Sequence, residues 1–186
     1  MTFFSEKILY TVDPQLPEVV LTAMLDQCKS LTYTDSTVVV KEDGEQGQMK
    51  NLRNSQQCWL CWDHWIAGIM HNNFISANND YFHYDLDHFD SGIQVTKYGP
   101  GQKYDWHTDE NPVGKPRKLS MSLVLNDDFS GGEFELYRPA TRNKEQVIIK
   151  AGSAIIFPSW VVHRVNPVKS GTRYSLVAWM NGPQFK

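Results

Sequence analysis

The chain has 186 residues, 41% of them hydrophobic and 21% charged, and a net charge of −3 at neutral pH. That length sits within one domain and buries an ample core without cross-links, while so small a negative charge offers no basic field to nucleic acid or to an anionic membrane surface. No window approaches the roughly 18 apolar residues of a spanning helix, residues 1–10 lack a basic stretch leading into an apolar run, and three cysteines make no disulfide framework, so a single cytoplasmic domain over 1–186 is expected.

In chain order, residues 17–31 place apolar side chains at helical spacing, with Pro17 where a helix can begin. Residues 41–54 are polar, run through Glu42, Asp43, Gly44, Glu45, Gln46 and Gly47, and read as a mobile surface loop. Residues 59–77 give a second helical pattern, and the stretch 58–69 reads as one amphipathic helix. Cys58 and Cys61 form a C-x-x-C with His64 three residues on, a spacing open to zinc or redox use. On a helix, however, small thiols pack as apolar groups, and packing is the expected role.

From there the chain reads as β. Residues 81–86, 93–98, 118–125, 133–137, 146–150, 153–157 and 173–180 are strand-like runs separated by Gly, Pro and Asn turns. Many short strands without internal repeats predict a mainly β double-stranded β-helix, a cupin-like jelly roll over about 81–186, braced by N-terminal helices over about 1–80.

The chemistry is carried by His107, Asp109, His163 and Arg173. In an extended segment alternate side chains share a side, so His107 and Asp109 fall about 7 Å apart along the backbone and converge on one ion, with Thr108 turned away. His163, read as the end of a strand running through Ile155, Ile156 and Phe157, brings a third ligand from elsewhere in the sheet. Two neutral imidazoles and one carboxylate on one face of a six-coordinate metal leave positions open, the ligand set of non-haem Fe(II) oxygenases. Ten positions after His163, Arg173 supplies a planar fork for the far carboxylate of an anionic co-substrate.

Residues 152–183, reading GSAIIFPSWVVHRVNPVKSGTRYSLVAWMNGP, resemble the C-terminal half of 2-oxoglutarate/Fe(II) oxygenases of the prolyl-hydroxylase class, most of all the bacterial and viral prolyl/lysyl-hydroxylase-type domains. The runs YGPGQKYDWHTD from Tyr98 to Asp109 and SGGEF from Ser130 to Phe134 resemble the same family in the same order, and the likeness extends from about Leu52 to the end of the chain. This resemblance implies that His107, Asp109 and His163 hold Fe(II), that Arg173 pairs with 2-oxoglutarate, and that Tyr98, Ser120 and Ser122 line the co-substrate pocket. It implies hydroxylation of an aliphatic C–H, first of all in a prolyl residue of a peptide or protein, with O2 consumed, succinate and CO2 released, and ascorbate as an accessory reductant. Trp106, Trp160 and Tyr104 are the candidate walls of the substrate mouth, whereas Arg164 and Arg138 read as surface charge. His64, His71, His83 and His88 read as structural or surface residues. A free amino acid or other small molecule is the alternative substrate, and a cupin-like metal-binding protein without oxygenase activity is the alternative function. Cupins, however, carry H-x-H where this chain has H-x-D, and they need no counterpart of Arg173.

Overall fold

A computed structural model describes residues 7–13, 16–39, 45–111 and 114–184. In chain order its N-terminal part runs β1 (Tyr10–Val12), α1 (Glu18–Lys29), β2 (Thr34–Asp35), β3 (Val38–Val39), β4 (Gln46–Gly47), β5 (Arg53–Asn54), β6 (Gln56–Leu60) and α2 (Trp65–Ala77). It continues through β7 (Ile93–Tyr98), β8 (Lys103–His107), β9 (Arg117–Val124), β10 (Ser130–Gly131), β11 (Phe134–Arg138) and β12 (Asn143–Val147). The last four strands are β13 (Ala154–Pro158), β14 (His163–Val165), β15 (Val168–Ser170) and β16 (Arg173–Asn181).

Two antiparallel sheets make the jelly roll. The larger has seven strands in the order β1-β13-β9-β16-β7-β6-β2, and the smaller has five in the order β12-β11-β14-β8-β5. The period-2 alternation of a strand sorts residues between the two faces of the larger sheet. Ile93, Val95, Leu119, Met121, Leu123, Leu176, Ala178 and Met180 pack with Met24 of α1 and Ile66, Met70 and Phe74 of α2 in one apolar core. The intervening positions, Gln94, Thr96, Ser122 and Ser175, are polar, and all four line a cavity on the opposite face. At one end of that face Ile155, Phe157, Phe134, Leu136 and Val165 close a second apolar cluster between the sheets. The sequence alternation therefore separates a dry, helix-covered face from a face with a polar row, and the polar row marks the working side.

Among the described residues no helix is long and apolar enough to cross a membrane.

Several local expectations change. Cys58, Trp59 and Leu60 belong to strand β6, not to a helix. The chain turns where the His64 N–H donates to the Cys61 carbonyl at 3.1 Å, and α2 starts at Trp65 with His64 as its N-cap, Nδ1 accepting from the Ile66 N–H at 3.3 Å. A short run of bulky apolar residues fits either period, and here pairing with β7 decides it. Cys61 is consequently exposed and Cys58 only half-buried, so packing describes the second in part and the first not at all. Residues 81–86 are not a strand: Asn78–Phe82 extend α2 by a π-helical turn that ends at His83 with φ 60°. The Asn78 side-chain amide then donates to the Tyr84 carbonyl and accepts from its N–H, both at 2.9 Å, replacing what a neighbouring strand would give.

Within 41–54, residues 41–44 lie outside the described residues, but the rest is not simply loop. β4 pairs with β3, and β5 joins the smaller sheet beside β8. The run expected at 146–150 forms three residues earlier, because the β11–β12 hairpin turns at residues 139–142 with Arg142 at φ 54° and sets Phe134 opposite Val147. His163 opens its own strand, since β13 stops at Pro158 and residues 159–162 turn.

Candidate metal and anion site

His107 is the last residue of β8 and His163 the first of β14, and the two strands pair with these residues directly opposite each other. Asp109 lies just beyond β8, where its N–H donates to the Ser159 carbonyl at 2.8 Å and its own carbonyl accepts from Arg117 Nη1 at 3.3 Å. His107 Nε2 stands 3.6 Å from Asp109 Oδ1, and His163 Nε2 stands 3.6 Å from Asp109 Oδ2. One donor atom from each of the three residues falls within 4.8 Å of the others. An ion about 2.1 Å from each donor fits between atoms so spaced.

The tautomers agree with that use. His107 Nδ1 lies 2.7 Å from the Asp105 carbonyl and His163 Nδ1 lies 2.9 Å from the Val161 carbonyl. A carbonyl only accepts, so each ring holds its proton on Nδ1 and turns the Nε2 lone pair toward the carboxylate. Burial, followed by the neighbouring His107, pushes His163 down to about 4, so its imidazole is neutral at pH 7. Burial alone would raise Asp109, but the two neighbouring imidazoles, His163 first, outweigh it and hold the carboxyl below the usual carboxylate range. Tyr104 stacks on His107 with ring centroids 3.4 Å apart and planes 11° apart, and Phe134 and Phe157 pack against His163.

The cluster opens into a cavity of about 530 Å³. Arg173 lies in its wall, 2% exposed, with Nη1 donating to Ser175 Oγ at 2.8 Å. Its guanidinium is 5.7 Å from the ring of Tyr98, which sits opposite it in the β16–β7 register. Among the described residues no carboxylate lies within ion-pair distance of Arg173. Burial lowers the affinity of that guanidinium for its proton, as expected for a cation moved out of water without an acidic partner.

Of the residues singled out in the sequence, His107, Asp109, His163, Arg173, Tyr98, Tyr104 and Ser122 all line this one cavity. Ser120 shares the inner face with Ser122 but is fully buried, its Oγ 2.9 Å from Ser159 Oγ, and does not reach the cavity. Neither Trp106 nor Trp160 lines it. Trp106 has Arg164 and Lys144 over its ring at 4.5 and 5.8 Å, and Arg164 is in turn paired with Glu135 at 2.6 Å. Trp160 is 37% exposed. The tryptophans in the cavity are Trp59 and Trp179, with ring centroids 6.1 Å apart. Arg117 lies 4.0 Å over the Trp179 ring and pairs with Asp90 at 2.6 Å. The buried Trp179 Nε1–H closes no hydrogen bond among the described residues. Arg53 lines the cavity as well, drawn from the polar stretch read as a loop. Strand alternation from Arg173 would have placed Trp179 on the inner face; only tertiary pairing reveals Arg53.

Gly132 keeps room for Arg173. It sits at φ +63°, and a Cβ there would lie 3.0 Å from Arg173 Cδ and 3.0 Å from Val168 Cγ2. Gly132→Ala is expected to cost about 1–2 kcal/mol from the left-handed backbone alone. Urea unfolding followed by circular dichroism measures that loss.

Residues 93–181 match the model of the 2OG-Fe(II) oxygenase superfamily. A PKHD-type hydroxylase from a Picosynechococcus species is 38% identical over 91 residues, which cover 47% of this chain and 41% of that protein. A second PKHD-type hydroxylase, from a Synechococcus species, is 36% identical over 94 residues, covering 47% and 40%. The chain thus spans less than half the length of these relatives. Among solved structures, a Pseudomonas putida prolyl-4-hydroxylase superposes with a TM-score of 0.70 at 21% identity, covering 95% of this chain and 93% of that one. A Trichoplax adhaerens prolyl hydroxylase, in complex with a hypoxia inducible factor oxygen degradation domain peptide fragment, superposes with a TM-score of 0.79 at 17% identity, covering 95% and 84%. At those identities the structural likeness speaks to the fold.

Proposed function

We propose that this chain, which over residues 93–181 belongs to the 2OG-Fe(II) oxygenase superfamily, hydroxylates an aliphatic C–H of a prolyl residue in a peptide or protein, consuming 2-oxoglutarate and O2 and releasing succinate and CO2. The observation that carries the reading is one cavity lined both by a His-Asp-His cluster with free Nε2 lone pairs and by a buried guanidinium without an acidic partner. The first suits a divalent metal and the second an anion, and a dicarboxylate that chelates the metal at one end satisfies both. Hydroxylation is suggested by the PKHD-type hydroxylases that the chain is similar to, a prolyl target by the two prolyl hydroxylase structures, and a peptide by the Trichoplax adhaerens complex.

In this reading His107, Asp109 and His163 hold Fe(II), and Arg173 holds the distal carboxylate of 2-oxoglutarate, with Tyr98, Ser122 and Ser175 around it. The chemistry such a centre supplies is O2 activation coupled to oxidative decarboxylation. What the chain contributes is placement and dryness. The Asp105 and Val161 carbonyls fix the imidazoles, Ser175 fixes the guanidinium fork, and Phe134, Phe157 and Val165 keep water from the metal side of the cavity. Trp59 and Trp179 take the substrate-facing role expected of Trp106 and Trp160. We place residues 1–186 in one catalytic unit, with α1 and α2 bracing the sheet that carries Arg173.

The test is anaerobic titration of metal-free protein with Fe(II) and then 2-oxoglutarate. A weak visible charge-transfer band is expected only after the second addition. Bound iron without a band overturns the oxygenase reading. The prolyl assignment is checked by substrate-stimulated succinate and added oxygen mass across a panel of proline-containing peptides, and fails if every peptide is inert.

A further inference from the structure

The cavity contains a second buried guanidinium that the reaction proposed above leaves without a task. Arg53 is 7% exposed. β5 sets it opposite Tyr104 in β8, and its Cζ lies 4.7 Å from the Tyr104 ring, which itself stacks on His107. Nε donates to Ser55 Oγ at 3.1 Å, Nη2 to Gln94 Oε1 at 2.7 Å, and Nη1 to the Thr37 carbonyl at 3.4 Å. All three partners are neutral, and among the described residues no carboxylate stands within ion-pair distance. A guanidinium has five N–H donors, so these bonds leave two unspent on a group that faces the cavity.

Charge balance sets this cation apart from the co-substrate. Arg117, by contrast, has Asp90 beside it, and Glu110, the other acidic lining residue, is exposed. Among the described lining residues that leaves Arg53 and Arg173 against the single carboxylate of Asp109. A divalent ion and a dicarboxylate cancel each other, so the loaded site keeps one uncompensated positive charge, an arrangement that burial makes costly. The Arg173 fork is held by Ser175, opposite Thr96 of β7, whereas Arg53 binds Gln94, about 7 Å further along that strand. In the reading above a dicarboxylate held by Arg173 gives its other end to the metal cluster, so it does not also serve Arg53.

We propose that Arg53 binds a carboxylate of the substrate, which restricts the substrate class to molecules with an anionic group near the hydroxylated carbon. The carboxylate is either an acidic side chain next to the target residue or the free α-carboxylate of the target itself. This inference rests on the oxygenase reading.

The experiment uses the 186-residue chain loaded anaerobically with Fe(II) and 2-oxoglutarate, with binding read from the change in tryptophan fluorescence, to which the cavity residues Trp59 and Trp179 contribute. The probes are matched acid and amide pairs: prolyl peptides with Asp or Asn after the proline, peptides ending in proline as free acid or carboxamide, and proline against prolinamide. In at least one pair the acid is expected to bind about tenfold tighter, and the responding pair identifies the source of the carboxylate. Arg53→Gln is expected to erase that ratio while the amide's affinity stays within about twofold, and Arg53→Lys to keep part of it as a point charge. A purely structural Arg53 would weaken both members alike. Equal affinities in the native protein, or a ratio that survives Arg53→Gln, overturn the inference, and the first of these decides even if the variant does not fold. Turnover of neutral members at equal affinity overturns this inference and spares the oxygenase reading; absence of binding by every probe overturns this inference and the prolyl assignment together.

Discussion

Asp109→Asn is expected to bring turnover below about a thousandth of the native value and to abolish stoichiometric Fe(II) binding in anaerobic equilibrium dialysis. Asp109 is the only anionic member of the cluster, because His163 is kept neutral by burial and both rings carry their protons on the nitrogens that face backbone carbonyls. Asparagine preserves the shape and the backbone bonds to Ser159 and Arg117 but removes the charge that a divalent ion needs. The fold should therefore survive, and an unchanged melting curve for metal-free protein is the control. Native-like turnover in this variant would remove Asp109 from the metal and leave the two histidines without their third partner.

Arg173→Met is expected to move function and stability in opposite directions. Truncating one member of a desolvated charge pair costs about 2–5 kcal/mol, so the 2-oxoglutarate concentration needed for half-maximal turnover should rise by about two orders of magnitude. Without the co-substrate, however, the native chain buries a guanidinium that faces a serine hydroxyl and an aromatic ring. Methionine has a similar reach and no charge to desolvate, so unfolding of the ligand-free variant should be as hard as that of the native chain or harder. Added 2-oxoglutarate and a redox-inert divalent metal should raise the melting temperature of the native chain, with the 2-oxoglutarate-dependent part of that rise lost in the variant. A variant that is destabilised without ligand yet binds 2-oxoglutarate normally would show that Arg173 serves packing instead.

What was legible in the sequence follows the physics of each feature. Three strands of the larger sheet could be read because alternation with period 2 is strong in residues 93–98, 118–125 and 173–180, and each lies within a residue or two of its observed bounds. H-x-D and the distant His163 were readable by residue type. Their contact depends on the β14–β8 register, which sequence alone does not give. Arg53 went unseen because its neighbours are polar: burial at this position comes from Gln94, Ser55 and Tyr104, all distant or irregular in pattern. Nearness in sequence is a poor guide to the tryptophans for a related reason. Trp106 and Trp160 are near the ligands in sequence but turn away, whereas Trp59 and Trp179 arrive from strands whose inner faces meet only after folding. The helix expected across 58–69 failed because five residues of β6 already had a partner in β7.

Each imidazole of the cluster is oriented by a main-chain carbonyl two residues earlier in its own strand or turn, Asp105 for His107 and Val161 for His163. Main-chain oxygens are present whatever amino acid occupies a position. Drift at 105 or 161 can alter the side chains there without releasing either ring, so the hydrogen bond that aligns each imidazole is inherited from the backbone. The centre is thereby insulated from substitutions at 105 and 161, and a lineage changing its substrate is free to rewrite the cavity wall beyond Tyr104, Phe134 and Phe157, which pack on the two rings.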